Sequence, residues 1–127
     1  IAICLGKEAD LYLLDEPSAH LDANARMETA KAIRRTMESN EKAALVIDHD
    51  IYFIDIVSDS LLVFDGQGGK NGNATGPLNL RKGMNKFLSE VDVTFRRDHD
   101  SHRPRINKPG SRKDREQKIE GEYFYVE

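Results

Sequence analysis

Apolar residues along this chain fall into three short runs separated by polar punctuation. Leu11–Asp15 opens with four consecutive apolar residues, Ala43–Asp48 with five, and Leu61–Asp65 with four. Runs of this length bounded by polar residues predict strands. Unbroken apolarity, rather than alternation, predicts strands buried on both faces, as in a parallel sheet. Between the first two runs, Met27, Ala30, Ile33 and Met37 recur near helical spacing. They predict a helix over 23–39 with Asp22 as its N-cap. A short helix over 50–57 has Asp48 or Asp50 to cap it, and Gly6 can close a helix end over 1–6. Strand, helix and strand in this order indicate a parallel α/β unit.

Beyond the third run the pattern weakens. Gly66–Gly76 holds five glycines and two asparagines and predicts a mobile loop or hairpin. Met84, Phe87, Leu88 and Val91 fall on one face of a short amphipathic helix. Residues 93–97 read as extended. Residues 101–118 are polar and prolyl, with no visible core, and Tyr123–Val126 is an apolar patch in need of a surface. The organisation expected is an α/β part over 1–66, a glycine-rich loop over 67–80 and a tail over 81–127.

The first strand ends in two adjacent carboxylates, Asp15 and Glu16, followed by Pro17 and a tight Ser18-Ala19-His20-Leu21-Asp22 turn. Ligands bind at the carboxyl ends of parallel strands. Adjacent carboxylates there repel one another and need a compensating charge. A divalent cation beside a phosphate provides it: Asp15 can hold Mg²⁺, directly or through water, and Glu16 can orient and deprotonate an attacking water. Alone, such a strand end is more often structural than catalytic. Pro17 can simply stop the strand, and His49 by itself reads as a surface histidine.

Together these residues say more. Asp15-Glu16-Pro17-Ser18-Ala19-His20-Leu21-Asp22 resembles the Walker B strand and D-loop of ABC-type ATPases. Ala44-Leu45-Val46-Ile47 followed by Asp48-His49-Asp50 resembles the next core strand and switch histidine, about one helix downstream as in that family. The Gly83–Leu88, Thr94–Asp98 and Arg103–Lys108 stretches, with the aromatic ending Tyr123-Phe124-Tyr125, are similar to the C-terminal hinge of the ribosome-recycling ABC ATPases, also called the RNase L inhibitor family.

The resemblance implies an incomplete P-loop NTPase core of α/β class, lacking the Walker A strand, with an extended hinge segment. It implies ATP and Mg²⁺ as cofactors, with Glu16 polarising water, Asp15 on the metal, and His49 on the γ-phosphate. Ser18 and Asp22 would reach toward the Walker A loop of a facing domain. The implied partners are the first nucleotide-binding domain of the same polypeptide, ribosomal subunits and ribosomal RNA. Iron–sulfur clusters would belong to a more N-terminal region. His20 departs from the tyrosine that family members often carry.

No Gly-x-x-x-x-Gly-Lys-[Ser/Thr] loop occurs in these 127 residues, and no Leu-Ser-Gly-Gly signature. The segment is therefore expected to be the C-terminal piece of a longer protein and inactive by itself. Cys4 is the single cysteine, so an intrachain disulfide is excluded. No run reaches the length of a membrane span and no signal peptide is visible, so a cytoplasmic location is expected.

The net charge of −3 conceals an asymmetry: residues 1–66 carry 6 basic and 13 acidic side chains, residues 81–118 carry 12 basic and 6 acidic. A basic segment invites RNA or an acidic protein face. Arg96, Arg97, Arg103 and Arg105 are the candidates, either gripping RNA or bracing a domain interface. With so few apolar anchors, this segment is expected to lie extended rather than to fold alone. Two other readings remain: the ATPase subunit of a membrane transporter, against which the basic tail weighs, and a non-hydrolytic assembly module, against which intact Glu16 and His49 weigh.

Overall fold

The computed structural model describes residues 1–98 and 104–125. They form two compact units, Ile1–Ser58 and Asp59–Glu127.

In the first unit, α1 (Ala2–Leu5) precedes β1 (Leu11–Asp15), α2 (Ala23–Asn40), β2 (Ala43–Ile47) and α3 (Ile51–Val57). β1 and β2 pair in parallel, Leu11 opposite Ala43 through Asp15 opposite Ile47. α2 makes the crossover that a parallel pair requires. Its first turn is capped by Asp22, whose Oδ1 accepts from the Ala25 N–H at 2.8 Å. It ends at Glu41, which takes the left-handed conformation with φ 53°. Asp50 is the cap of α3, accepting from the N–H groups of Tyr52 and Phe53.

Leu14, Ala30, Ile33 and Phe53 form the core of this unit, with Cys4, Leu5, Met37, Val46, Ile56 and Val57 packed around it. The expectation of strands buried on both faces is corrected here. Tyr12 and Leu14 are buried, whereas Leu13 is 67% and Ile47 61% exposed. The helices of the unit cover one face of its two-stranded sheet, so alternation appears where the sequence shows none. Met27 is likewise exposed rather than in the core.

The second unit holds β3 (Ser60–Gln67), β4 (Asn71–Asn79), α4 (Leu80–Glu90), β5 (Phe95–Arg97), β6 (Pro104–Ile106), α5 (Arg112–Glu120) and β7 (Phe124–Tyr125). One pair of alternatives is resolved and two expectations are corrected. Residues 71–79 are a strand antiparallel to β3, so the glycine-rich stretch is the hairpin and not the loop. Glycine here serves a tight reversal: Gly66 has φ 139°, and a Cβ on it would stand 2.4 Å from the Asn71 carbonyl oxygen. The third apolar run therefore belongs with the C-terminal unit, and the division falls at Ser58/Asp59 rather than after residue 66. Finally, the basic segment does not lie extended. β5 pairs antiparallel with β6 and parallel with β7, and both α4 and α5 carry buried residues.

The reason is that the tail has a core after all, apolar at one end and polar at the other. Val63, Met84, Leu88, Phe95 and Phe124 are buried, and the Phe95 and Phe124 rings stack with centroids 5.2 Å apart. Phe124, within the patch read at Tyr123–Val126, thus finds its surface on β5, and Val126 lies outside the described residues. Beside it, Thr94, Asn107, Asp114 and Gln117 are buried as a hydrogen-bonded set. The Thr94 hydroxyl donates to Asp114 at 2.6 Å and accepts from the Asn107 amide at 3.0 Å. Asn107 also donates to Gln117, whose own amide donates to the carbonyls of Phe95 and Glu122. Buried polar groups satisfied this fully specify a fold where apolar area is short.

Candidate functional site

Asp15 is the last residue of β1, and Ile47 opposite it is the last of β2. The ladder continues one bond further: the Glu16 N–H donates to the Ile47 carbonyl at 2.7 Å. Glu16 then turns the chain with φ 44°, a left-handed conformation uncommon for glutamate. Such a residue stores about 1 kcal/mol or more and persists where its surroundings dictate it. Three things dictate it here. Its N–H is held by β2, its carbonyl accepts from the Ala19 N–H at 3.0 Å, and Pro17 behind it is buried. His20 in the same turn also has positive φ, 62°.

The turn leaves the carboxylates of Asp15 and Glu16 outside and draws Ser18 inside. Ser18 is 4% exposed. Its hydroxyl donates to Asp48 Oδ1 at 2.9 Å and its N–H to Asp48 Oδ2 at 3.1 Å. The hydroxyl expected to reach toward a facing domain is thus engaged within its own unit. Asp22 is engaged as the cap of α2. His49 follows Asp48 and projects outward, its Nδ1 3.7 Å from Glu16 Oε1, with side chains 79% and 56% exposed. Adjacent parallel strands therefore bring Glu16 and His49 together, as their positions just past the two strand ends lead one to expect.

Asp48 and Arg26 tie this turn to the loop of His49, a link the sequence does not show. Asp48 reads there as a possible cap and as the residue before His49. Arg26 Nε donates to the Leu21 carbonyl at 2.9 Å, and its Nη1 pairs with Asp50 at 2.7 Å. The detectable signal was Asp48's position, directly between the second apolar run and His49.

The donor set suits a metal shared with a phosphate, not a protein-only cage. Among the described residues no group of three or more His, Cys, Asp or Glu could hold a metal ion. Mg²⁺ typically uses one or two carboxylates and fills its octahedron with phosphate oxygens and water. Two exposed carboxylates at a strand mouth fit that partial role.

The candidate arginines divide. Arg96 Nε donates to Asn107 Oδ1 at 3.0 Å, which attaches it to the buried polar set. Arg105 pairs with Asp98 at 3.3 Å and stays more than half exposed. Arg97 is half-buried. Arg103 lies outside the described residues. Among the described residues no helix is long and apolar enough to cross a membrane.

No protein-family model matches the chain. Over its full length it is 52% identical to an uncharacterized ABC transporter ATP-binding protein of Methanocaldococcus jannaschii. It is 46% identical, again over its full length, to translation initiation factor RLI1 of Saccharomyces cerevisiae. The chain spans 21% of the length of each. Among solved structures, 96% of the chain superposes with a TM-score of 0.89 and 57% identity on the crystal structure of a complex of archaeal ribosomal stalk protein aP1 and archaeal ribosome recycling factor aABCE1, covering 24% of the matched chain. With a Walker B-like strand end beside a histidine-bearing strand and similarity over its whole length, the chain belongs to the E family of ABC proteins, the RNase L inhibitor family.

Proposed function

We propose that this chain is the C-terminal portion of the second nucleotide-binding domain of an ATPase that splits ribosomes into subunits during translation. The observation that carries the reading is the approach of Glu16 to His49 at the mouths of two parallel strands, on a chain similar throughout to recycling-factor structures.

Glu16 takes the proton of the attacking water as general base. His49 contacts the phosphoryl group being transferred and the backbone of a facing domain. Asp15, with phosphate oxygens, would hold Mg²⁺, which supplies neutralising charge as the phosphoryl group leaves. Both side chains of the Glu16–His49 pair are open to solvent, so closure by the first nucleotide-binding domain of the same polypeptide would desolvate them. Asp22 and the Ser18 turn lie on the surface that meets that domain. ATP favours the closed state only through contacts made there, and hydrolysis removes them. Ribosomal subunits and ribosomal RNA are the partners, the cytoplasm the location. Iron–sulfur clusters belong to other parts of the polypeptide. These 127 residues alone, without a phosphate loop, do not turn over ATP.

The test is ribosome splitting by a full-length protein containing this chain. ATP-dependent conversion of intact ribosomes into subunits on a sucrose gradient supports the reading. Robust ATP hydrolysis that leaves ribosomes intact overturns it.

A further inference from the structure

The turn carrying Glu16 and the loop carrying His49 are joined by one side chain that belongs to neither role. Asp48 accepts three hydrogen bonds: the Ser18 hydroxyl and the Asp50 N–H on Oδ1, at 2.9 Å each, and the Ser18 N–H on Oδ2 at 3.1 Å. Two of these grip a single buried residue two positions beyond Glu16. The third fixes the position beyond His49. The grip is bidentate, so it sets orientation as well as distance. Arg26 repeats the connection further out, holding Leu21 with one nitrogen and Asp50 with another.

From this geometry we propose that Asp48 is a positioning residue for ATP hydrolysis: its carboxylate fixes the Glu16 turn against the His49 loop. The inference rests on the catalytic reading of Glu16 and His49 given above. Its physical content is that Glu16 and His49 barely interact directly. At 3.7 Å and largely exposed, they cannot hold each other in place. Glu16 occupies a left-handed backbone conformation, and its carboxylate swings with any change in that turn. A misplacement of about 1 Å is enough to cost on the order of a hundredfold in rate. A carboxylate is the side chain that can accept from all three donors. An amide of the same size retains one acceptor oxygen and turns donors toward the Ser18 or Asp50 N–H.

The experiment is steady-state ATP hydrolysis by the full-length protein, comparing Asp48→Asn, Ser18→Ala and their combination with the parent. Asp48→Asn is expected to lower kcat about ten- to a hundredfold with KM for ATP unchanged. Ser18→Ala removes only the hydroxyl bond and is expected to lower kcat less. The double variant should match Asp48→Asn alone, since both act through one grip. A KM increase that equals the loss in kcat/KM, or additive effects in the double variant, overturns the proposal. If Asp48→Asn does not fold, Ser18→Ala decides: unchanged kcat overturns the proposal, and a kcat loss at unchanged KM and melting temperature supports it. Glu16→Gln is measured alongside. Normal turnover in that variant defeats the underlying catalytic reading, whereas normal turnover in Asp48→Asn with a dead Glu16→Gln defeats this inference alone.

Discussion

His49 Nδ1 stands 3.7 Å from Glu16 Oε1 across the ends of β1 and β2, with both side chains more than half exposed. The strand pairing produces this approach: Asp15 is in register with Ile47, and each functional residue lies just past that pair. An exposed pair at that separation contributes little to stability. Under the proposed function its worth is in what it presents to a ligand. His49→Ala should therefore leave the melting temperature of the full-length protein nearly unchanged while suppressing ATP turnover. A loss of turnover that tracks a fall in melting temperature would mark His49 as structural instead.

Asp114 gives the C-terminal unit a pH dependence. Its carboxyl titrates below the usual carboxylate range, first because the Thr94 hydroxyl donates to it, then because the Gly110 N–H and the Lys118 ammonium also favour the ionised form. A depressed folded-state value means the contribution is present above the unfolded carboxylate pKa. It is lost as pH falls through that range toward the lower folded value. Asp114→Asn should cost about 2 kcal/mol at neutral pH in urea unfolding. The cost should shrink below about pH 4, where the parent loses the same interaction. An equal cost at pH 7 and pH 3 would contradict this.

Gly83 in α4 is a packing glycine. A Cβ there would stand 2.6 Å from the Leu61 Cβ. Alanine improves helix propensity by about 1 kcal/mol, whereas overpacking a tight helix–strand contact costs about 1–3 kcal/mol. Gly83→Ala should thus be neutral to destabilising in urea unfolding. Leu61→Gly, which removes that Cβ, should reduce the cost of the same substitution. Stabilisation by Gly83→Ala in the parent background would show that the contact relaxes freely.

Arg96 and Arg105 should separate bracing from RNA contact. Arg96 is tied to Asn107 in the buried set, so Arg96→Glu should lower stability and leave the salt slope of ribosome binding alone. Arg105 is more than half exposed and ion-paired with Asp98. If that face meets RNA, Arg105→Glu should lower the slope by about one unit. A reduced slope for Arg96→Glu without destabilisation would reverse the assignment.

The N-terminal unit was legible because its signals are local. Strand–helix–strand order, the Asp22 cap and the carboxylates after the first run each follow from neighbouring residues, and the register of two parallel strands then brings Glu16 to His49. In the C-terminal unit β3, α4 and the extended stretch at β5 were legible from their apolar residues, but the packing of the later segment was not, because its core is half polar. Thr94, Asn107, Asp114 and Gln117 give no hydrophobic period, and α5, with the sequence RKDREQKIE, leaves Ile119 86% exposed. Its stability depends on hydrogen bonds between residues distant in sequence, which composition cannot reveal. β1 misled in the opposite way, since four apolar residues in a row do not say how many faces are covered.

The most direct test of the catalytic assignment is single-turnover ATP hydrolysis by the full-length protein carrying Glu16→Gln, with nucleotide binding measured on the same sample. The account predicts retained ATP binding and hydrolysis slowed by about two to four orders of magnitude, because the base is lost while Asp15 remains. Hydrolysis at the parent rate with ATP bound would contradict it.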